Sequence, residues 1–314
     1  MDWWVHSAVV IVVCAISAVG DLCVLLLAAL SARKRRTSDP VKMLCWFAIS
    51  DLACMLLQIP GMPQRRDACT AQAALYWAAT WSSWLWTMAY AHVVHGAFVG
   101  ASASEGHDGS RTSRRHGLSH CWLHSLCWGL PVMIASIAYA NGVFGPSEAF
   151  SQSSRMYCDF VRPAPNFAAQ SICLIAILYS AYAFATVHKF VHTSLISNVE
   201  SLPAAEREAA QLRLRLWPRF VLYSLSFLLT QLPDLVLLVL QLVLPHGTPD
   251  TVDSAADAIA QLHGGVNALV FSCTNARAFL AQQMPSNCCS TCCTVGDEED
   301  GGRTGALLGT EPSR

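Results

Sequence analysis

The sequence predicts an all-α fold, a bundle of seven membrane-crossing helices with its N-terminus outside and its C-terminus in the cytoplasm. Three observations predict it. Of 314 residues, 54% are hydrophobic and only 13% charged, where a soluble domain carries about 25% charged residues. The apolar residues are gathered into seven long runs, and the basic residues into the segments between alternate runs. The net charge of -1 points to no nucleic-acid partner, because the cations sit in short clusters and line no single face.

A hydrocarbon core of about 30 Å takes about 20 helical residues at 1.5 Å each, and helices are required because lipid offers unpaired backbone groups no partner. The runs that satisfy this are 5–30, 41–60, 71–99, 120–140, 167–190, 217–244 and 255–280. The first is too long for a cleaved signal peptide, whose apolar stretch is about 7–15 residues, and reads as an uncleaved anchor. Insertion by the secretory route into the plasma membrane or an endomembrane is the expectation, with the plasma membrane preferred. The organisation is then a short extracellular segment 1–4, a seven-span domain 5–280 and a cytoplasmic, disordered tail 281–314.

Orientation follows from lysine and arginine, which short cytoplasmic loops retain. With the N-terminus outside, the inner side collects Arg33, Lys34, Arg35, Arg36, Lys42, Arg111, Arg114, Arg115, Lys189, Arg207, Arg213, Arg215, Arg219, Arg277, Arg303 and Arg314, sixteen of the twenty. The outer side keeps Arg65, Arg66, Arg155 and Arg162, and the last outer loop holds Asp250 and Asp253 with no cation.

Cysteine usage agrees. Of fourteen cysteines only Cys69 and Cys158 fall at or beyond the outer boundary, in the oxidising compartment, where a disulfide between them is expected. Eight lie in or at the ends of spans, as small packing groups. The last four, Cys288, Cys289, Cys292 and Cys293, follow the seventh span closely and suit S-palmitoylation. A zinc or iron–sulfur site is the alternative, with no histidine nearby to favour it.

Ionisable groups at bilayer depth mark a functional interior. Asp21, Asp51 and Asn267 each lie about ten residues from the inner end of their spans, near 15 Å deep, and at equal depth form one polar cluster. Two carboxylates in a low-dielectric site cannot both ionise freely, so one holds a proton or a cation lies between them; the plainer alternative is a hydrogen-bond network that orients three helices. Asp234 follows Pro233 in the outer half of the sixth span, facing whatever opening the kink creates. Trp77, Trp81 and Trp84 share one face of the third span at i, i+4 and i+7, as a ligand-pocket wall, ordinary packing or an interfacial anchor.

Three histidine pairs, His92 with His95, His120 with His124, and His188 with His192, stand near the inner ends of spans three to five at helical spacing. They read mainly as interfacial polar groups, with metal binding or pH sensing as the alternatives. The segment 201–216 reads as a capped amphipathic helix, acidic early at Glu206 and Glu208 and basic late at Arg213, Arg215 and Arg219. It extends the sixth span inward as a docking surface for a cytosolic partner or for anionic lipid.

Seven spans, an outer N-terminus, a disulfide from span three to the second outer loop and a cysteine-bearing tail resemble a G-protein-coupled receptor. Gly20-Asp21 and Ser50-Asp51-Leu52 resemble the receptors' polar core, although Asn more often follows the Gly. Asn267-Ala268-Leu269-Val270-Phe271 resembles their Asn-Pro-x-x-Tyr segment with Pro and Tyr replaced. The acidic–Arg–aromatic triplet of rhodopsin-like receptors is missing from span three, and Cys-Trp-x-Pro from span six. Trp84-Leu85-Trp86-Thr87, Cys127-Trp128-Gly129-Leu130-Pro131, Tyr157-Cys158 and Gly265-Val266-Asn267 are instead similar to the slime-mould cyclic AMP receptor and its relatives. The resemblance implies a receptor for an outside small molecule that activates a heterotrimeric G protein, with His92, His95, Arg213, Arg215 and Arg219 at the coupling surface and Trp77, Trp81, Trp84 and Asp234 at the ligand.

Other classes find less. No HExxH, nucleophile elbow or phosphate-binding glycine loop proposes an enzyme, and no motif proposes a cofactor. The three lysines, Lys34, Lys42 and Lys189, all lie at the inner edge, so no mid-membrane amine is available for a retinal Schiff base. A proton- or cation-coupled transporter or channel using Asp21, Asp51 and Asp234 is the main rival; against it, the helices show no internal repeat.

Overall fold

A computed structural model describes residues 3–34, 39–58, 66–100, 120–146, 158–161, 163–196, 204–243 and 250–272, all within one unit, Met1–Thr274. The helices are α1 (Trp3–Lys34), α2 (Asp39–Gln58), α3 (Arg66–His95), α4 (His120–His124), α5 (Leu130–Ala140), α6 (Pro163–Phe190), α7 (Ala204–Val243), α8 (Asp250–Gln261) and α9 (263–272). Strands β1 (Phe144–Pro146) and β2 (Cys158–Phe160) form an antiparallel pair that sets Phe144 against Phe160.

Among the described residues, four stretches are long and apolar enough to cross a membrane: Ala8–Leu30, Cys121–Ala140, Pro165–Thr193 and Phe220–Leu237. Their packing is inverted relative to a soluble protein. Ser17, Asp21 and Ser50 are wholly buried, whereas Leu26, Leu178 and Leu229 are 60–61% exposed. An apolar exterior of that kind is stable only against lipid, and the chain is an integral membrane protein. The seven-span expectation rests for its other three members on α2, α3 and the α8–α9 pair. These elements carry Asp51, the Ser82-Ser83 pair and His263, all buried, which lowers their hydropathy.

Between α4 and α5 the helix widens into a π turn, Ser125–Gly129, in which the Leu130 N–H donates to the Ser125 carbonyl. Pro131 explains the widening: it has no N–H, and its ring would strike the carbonyl four residues back in a regular helix. At its other end α5 stops at Gly142, with φ at 63°. The Gly142 N–H donates to Tyr139 O at 3.0 Å and Val143 N–H to Ala138 O at 3.0 Å. That is the paired capping arrangement a left-handed glycine permits, and it turns the chain into β1. The predicted amphipathic extension is continuous with the following span: α7 is one helix of 40 residues through Pro218 and Pro233.

α3 is the central element, packed against α2, α5, α6, α7 and both strands. At the end where α3 starts, Trp77, Trp81 and Trp84 meet Phe144, Phe160, Ile177 and Phe227 in one apolar cluster. Towards its other end, Trp86, Tyr90, Phe98, Val187, Phe220 and Phe271 form a second. Cys69 and Cys158 are disulfide-bonded, with their Cα atoms 5.2 Å apart, which fastens β2 to the first turn of α3.

Candidate functional site

The site is built on α1. Ser17, Gly20 and Asp21, three and four residues apart, fall on one helical face, and that face meets the junction of α8 and α9. A β-carbon on Gly20 would lie 2.9 Å from Gly264 O and 2.9 Å from Gly265 Cα, so the two backbones touch there and only glycine fits.

The junction is a break with an identifiable cause. In a regular helix the Gly265 N–H would donate to the Gln261 carbonyl. The Ser17 hydroxyl is inserted between them, donating to Gln261 O and accepting from Gly265 N at 3.2 Å. Leu262 becomes a turn between two helical pieces. A side chain pushed into the i→i−4 ladder is one of the few recognised reasons for a helix to bend. This interruption falls within the expected seventh span, 255–280: α8 ends at Gln261 and α9 starts at 263.

Asp21 and Asp51 converge on this break. A β-carbon on Gly264 would meet Asp21 Oδ2 at 2.5 Å and Asp51 Oδ2 at 2.7 Å, so both carboxyl groups press on one bare point of α9. The two are within hydrogen-bonding reach of each other, and the Ser83 hydroxyl of α3 reaches Asp51. Both Asp21 oxygens and Asp51 Oδ2 are fully buried, and no donor serves them. Asn267 lies one turn along α9 and accepts a hydrogen bond from Ser226 of α7 at 3.0 Å. The three residues predicted to cluster are therefore close in space, two in mutual contact and the third linking α9 to α7. Beside Asn267 and His263 lies a water-sized cavity, lined also by Thr87, Tyr90, Ser180 and Tyr223.

The predicted pocket residues are placed differently. Trp77, Trp81 and Trp84 do share a face, and all three are buried. Their faces pack on aromatic neighbours, and two indoles are hydrogen-bonded: Trp77 Nε1 donates to Asp159 Oδ1 of β2 at 2.7 Å, and Trp84 Nε1 to Gln231 Oε1 of α7 at 3.2 Å. Asp234 is half-buried and accepts from Gln170 Nε2 of α6 at 3.3 Å. None of the four lines the cavity beside Asn267.

Of the residues assigned to coupling, His92 bonds sideways to α6, with Nδ1 2.6 Å from Tyr179 Oη, and His95 lies against the Tyr182 ring. Arg213, Arg215 and Arg219 lie on α7, with side chains outside the described residues. Cys288, Cys289, Cys292 and Cys293, and the tail that carries them, also lie outside the described residues. Among the described residues no group of three or more potential metal-ligating side chains occurs.

Sequence reasoning missed Ser17, Gly264 and Asp159. Gly264 had a signal, since two adjacent glycines in an apolar run cost about 1 kcal/mol each in helix propensity and so mark close backbone approach. Ser17 had none, because a serine in a span is ordinarily bonded to its own helix.

No protein-family profile matches the chain, and no curated protein does. Among solved structures, the crystal structure of squid rhodopsin is similar, with a TM-score of 0.65 at 15% sequence identity, covering 94% of this chain and 88% of that one. At such identity the likeness is one of fold, and the chain has a rhodopsin-like helical bundle.

Proposed function

We propose that this protein is a cell-surface G-protein-coupled receptor that carries an extracellular small-molecule signal to a heterotrimeric G protein. The observation that carries the reading is the rhodopsin-like fold over 94% of the chain, joined to a distribution of sixteen of twenty basic residues on one side of the expected spans. In this reading residues 5–280 are a seven-span receptor domain, 1–4 lie outside, and 281–314 are a cytoplasmic tail whose cysteines 288, 289, 292 and 293 take lipid. The motifs Trp84-Leu85-Trp86-Thr87, Cys127-Trp128-Gly129-Leu130-Pro131, Tyr157-Cys158 and Gly265-Val266-Asn267 support a likeness to the cyclic AMP receptor-like group, which leaves the ligand open.

In the proposed mechanism Asp21, Asp51 and Asn267 are the switch. They touch α1, α2 and α9, and Ser226 connects them to α7, the helix whose far end carries Arg213, Arg215 and Arg219 towards the G protein. A ligand drives the change only by binding one arrangement of these helices better than the other. Trp77, Trp84 and Asp234 tie α3, α6, α7 and β2 together, Trp81 packs against Trp77, and ligand contact near them would act on those ties.

The test is nucleotide exchange. The purified chain in nanodiscs is offered a panel of G proteins, and small molecules are screened for acceleration. Ligand-dependent exchange supports the proposal. Ion flux through liposomes, with exchange unresponsive throughout, would replace it with a carrier.

A further inference from the structure

We infer that Asp21 and Asp51 bind one proton between them, so that the pair carries a single negative charge and is joined by an O–H···O⁻ hydrogen bond. The inference rests on the same cluster that the receptor reading uses as its switch, and names the ligand of that cluster as a proton.

The geometry leads there by elimination. An ionised carboxylate only accepts hydrogen bonds. Two ionised groups in contact would leave three buried oxygens with no donor, and like charges at that distance in a low-dielectric interior repel by several kcal/mol or more. A proton taken up from bulk water cancels one charge and supplies one O–H donor between the two groups, with no oxidation or reduction involved. The Ser83 hydroxyl reaches Asp51, which marks Asp51 as the acceptor; Asp21, wholly buried and served by no donor on either oxygen, carries the proton.

Among the described residues, the surroundings offer no counter-charge. Among the described residues, the titratable groups facing the pair are the thiols of Cys14 on α1 and Cys54 on α2, neutral at ordinary pH and bonded to Gln58 and Thr80. On α3, Tyr76 stands beyond Cys54. On α9, His263 lies against the rings of Phe47 and Phe227. A cation is the competing occupant and would need several oxygen ligands; the sodium arm of the test below separates it from the proton.

The consequence is mechanical. Gly264 gives the pair a bare backbone to rest on, beside the break that Ser17 holds open. Losing the proton would set two charges against α9 at its weakest point. A shift there moves Asn267 one turn away and its partner Ser226 on α7.

Infrared difference spectroscopy of the full chain in nanodiscs, with isotope-labelled aspartate, tests this without any G protein. Expected at neutral pH is the C=O stretch of a protonated aspartic acid, shifted in D₂O. It should vanish in Asp21→Asn and in Asp51→Asn alike, because the amide then supplies the donor and leaves the partner ionised. Absence of the band from the wild-type protein overturns the proposal, as does its survival in either variant, which would mean an ordinary buried acid. Loss of the wild-type band on adding sodium also overturns it, in favour of a cation site. Failure of G-protein exchange with the band present sinks the receptor reading and leaves the proton site standing.

Discussion

Replacing Gly264 with alanine puts a methyl group 2.5 Å from Asp21 Oδ2, 2.7 Å from Asp51 Oδ2 and 2.9 Å from Asp21 Cγ. Aspartate is short and the site is closed, so neither carboxyl can swing away cheaply. Overpacking of this kind costs about 1–3 kcal/mol, and three contacts below 3.0 Å argue for the upper end. Alanine recovers up to about 1 kcal/mol of helix propensity, leaving a net loss of about 2 kcal/mol. For a domain of this size that lowers Tm by about 4–8 °C, measured by tryptophan fluorescence melting in nanodiscs. Two comparisons make the reasoning specific. Gly265→Ala meets the Ile16 Cγ2 methyl at 3.3 Å and otherwise Ile16 O and Ser17 Oγ at an ordinary 3.8 Å, and should lose far less. In Asp21→Ala/Gly264→Ala two of the three clashing atoms are gone and Asp51 Oδ2 remains, and the two changes should depart from additivity by about 1 kcal/mol or more. A Gly264→Ala protein that melts with the wild type, or a penalty untouched by Asp21→Ala, refutes the placement of the carboxyl groups over α9.

Cys158→Ser opens a link between positions 89 residues apart; a loss of about 2–4 kcal/mol is expected, with limited proteolysis now cutting within β1 and β2. Trp77→Phe keeps the ring packing and deletes the donor to Asp159, a bond to a charged acceptor whose removal costs about 1.5–3 kcal/mol; the same proteolysis should detect it, more weakly than Cys158→Ser. Ser17→Ala removes the hydroxyl that separates Gln261 O from Gly265 N. The helix is expected to close across the gap at a net change under about 1 kcal/mol, and peptide-level hydrogen exchange over 261–267 should slow.

The parts of the architecture that follow from bulk physics were legible in the sequence. Residues 5–30 and 167–190 were read from length and hydropathy, and α1 and α6 occupy them; the Cys69–Cys158 bond was read from compartment. Convergence of Asp21 with Asp51 followed from depth alone, because helices that cross one slab share a coordinate. Azimuth is what depth leaves open. The Trp77, Trp81 and Trp84 face was identified, yet whether it bounds an opening or fills one depends on β1 and β2, whose Phe144 and Phe160 close over it. The break at Leu262 was hidden for a related reason: its cause, Ser17, is 244 residues away from the carbonyl it binds, and no local pattern reports a partner so distant.

Stability alone gives no reason for an acid at position 21. Asparagine has nearly the same volume, and its amide N–H could donate to Asp51 Oδ2 at every pH, where the acid does so only while the pair holds its proton. Once that proton leaves, the variant keeps a hydrogen bond to a charged acceptor, about 1.5–3 kcal/mol, and is spared a second buried charge. Asp21→Asn should therefore raise Tm. Stabilising changes that lower activity are the usual mark of a site strained for function. In an exchange-competent preparation, Asp21→Asn is expected to melt higher and to lose its dependence of exchange on pH, since the only proton the pair could release is gone. A variant that melts lower, with pH dependence intact, would mean that Asp21 holds the bundle together and senses nothing.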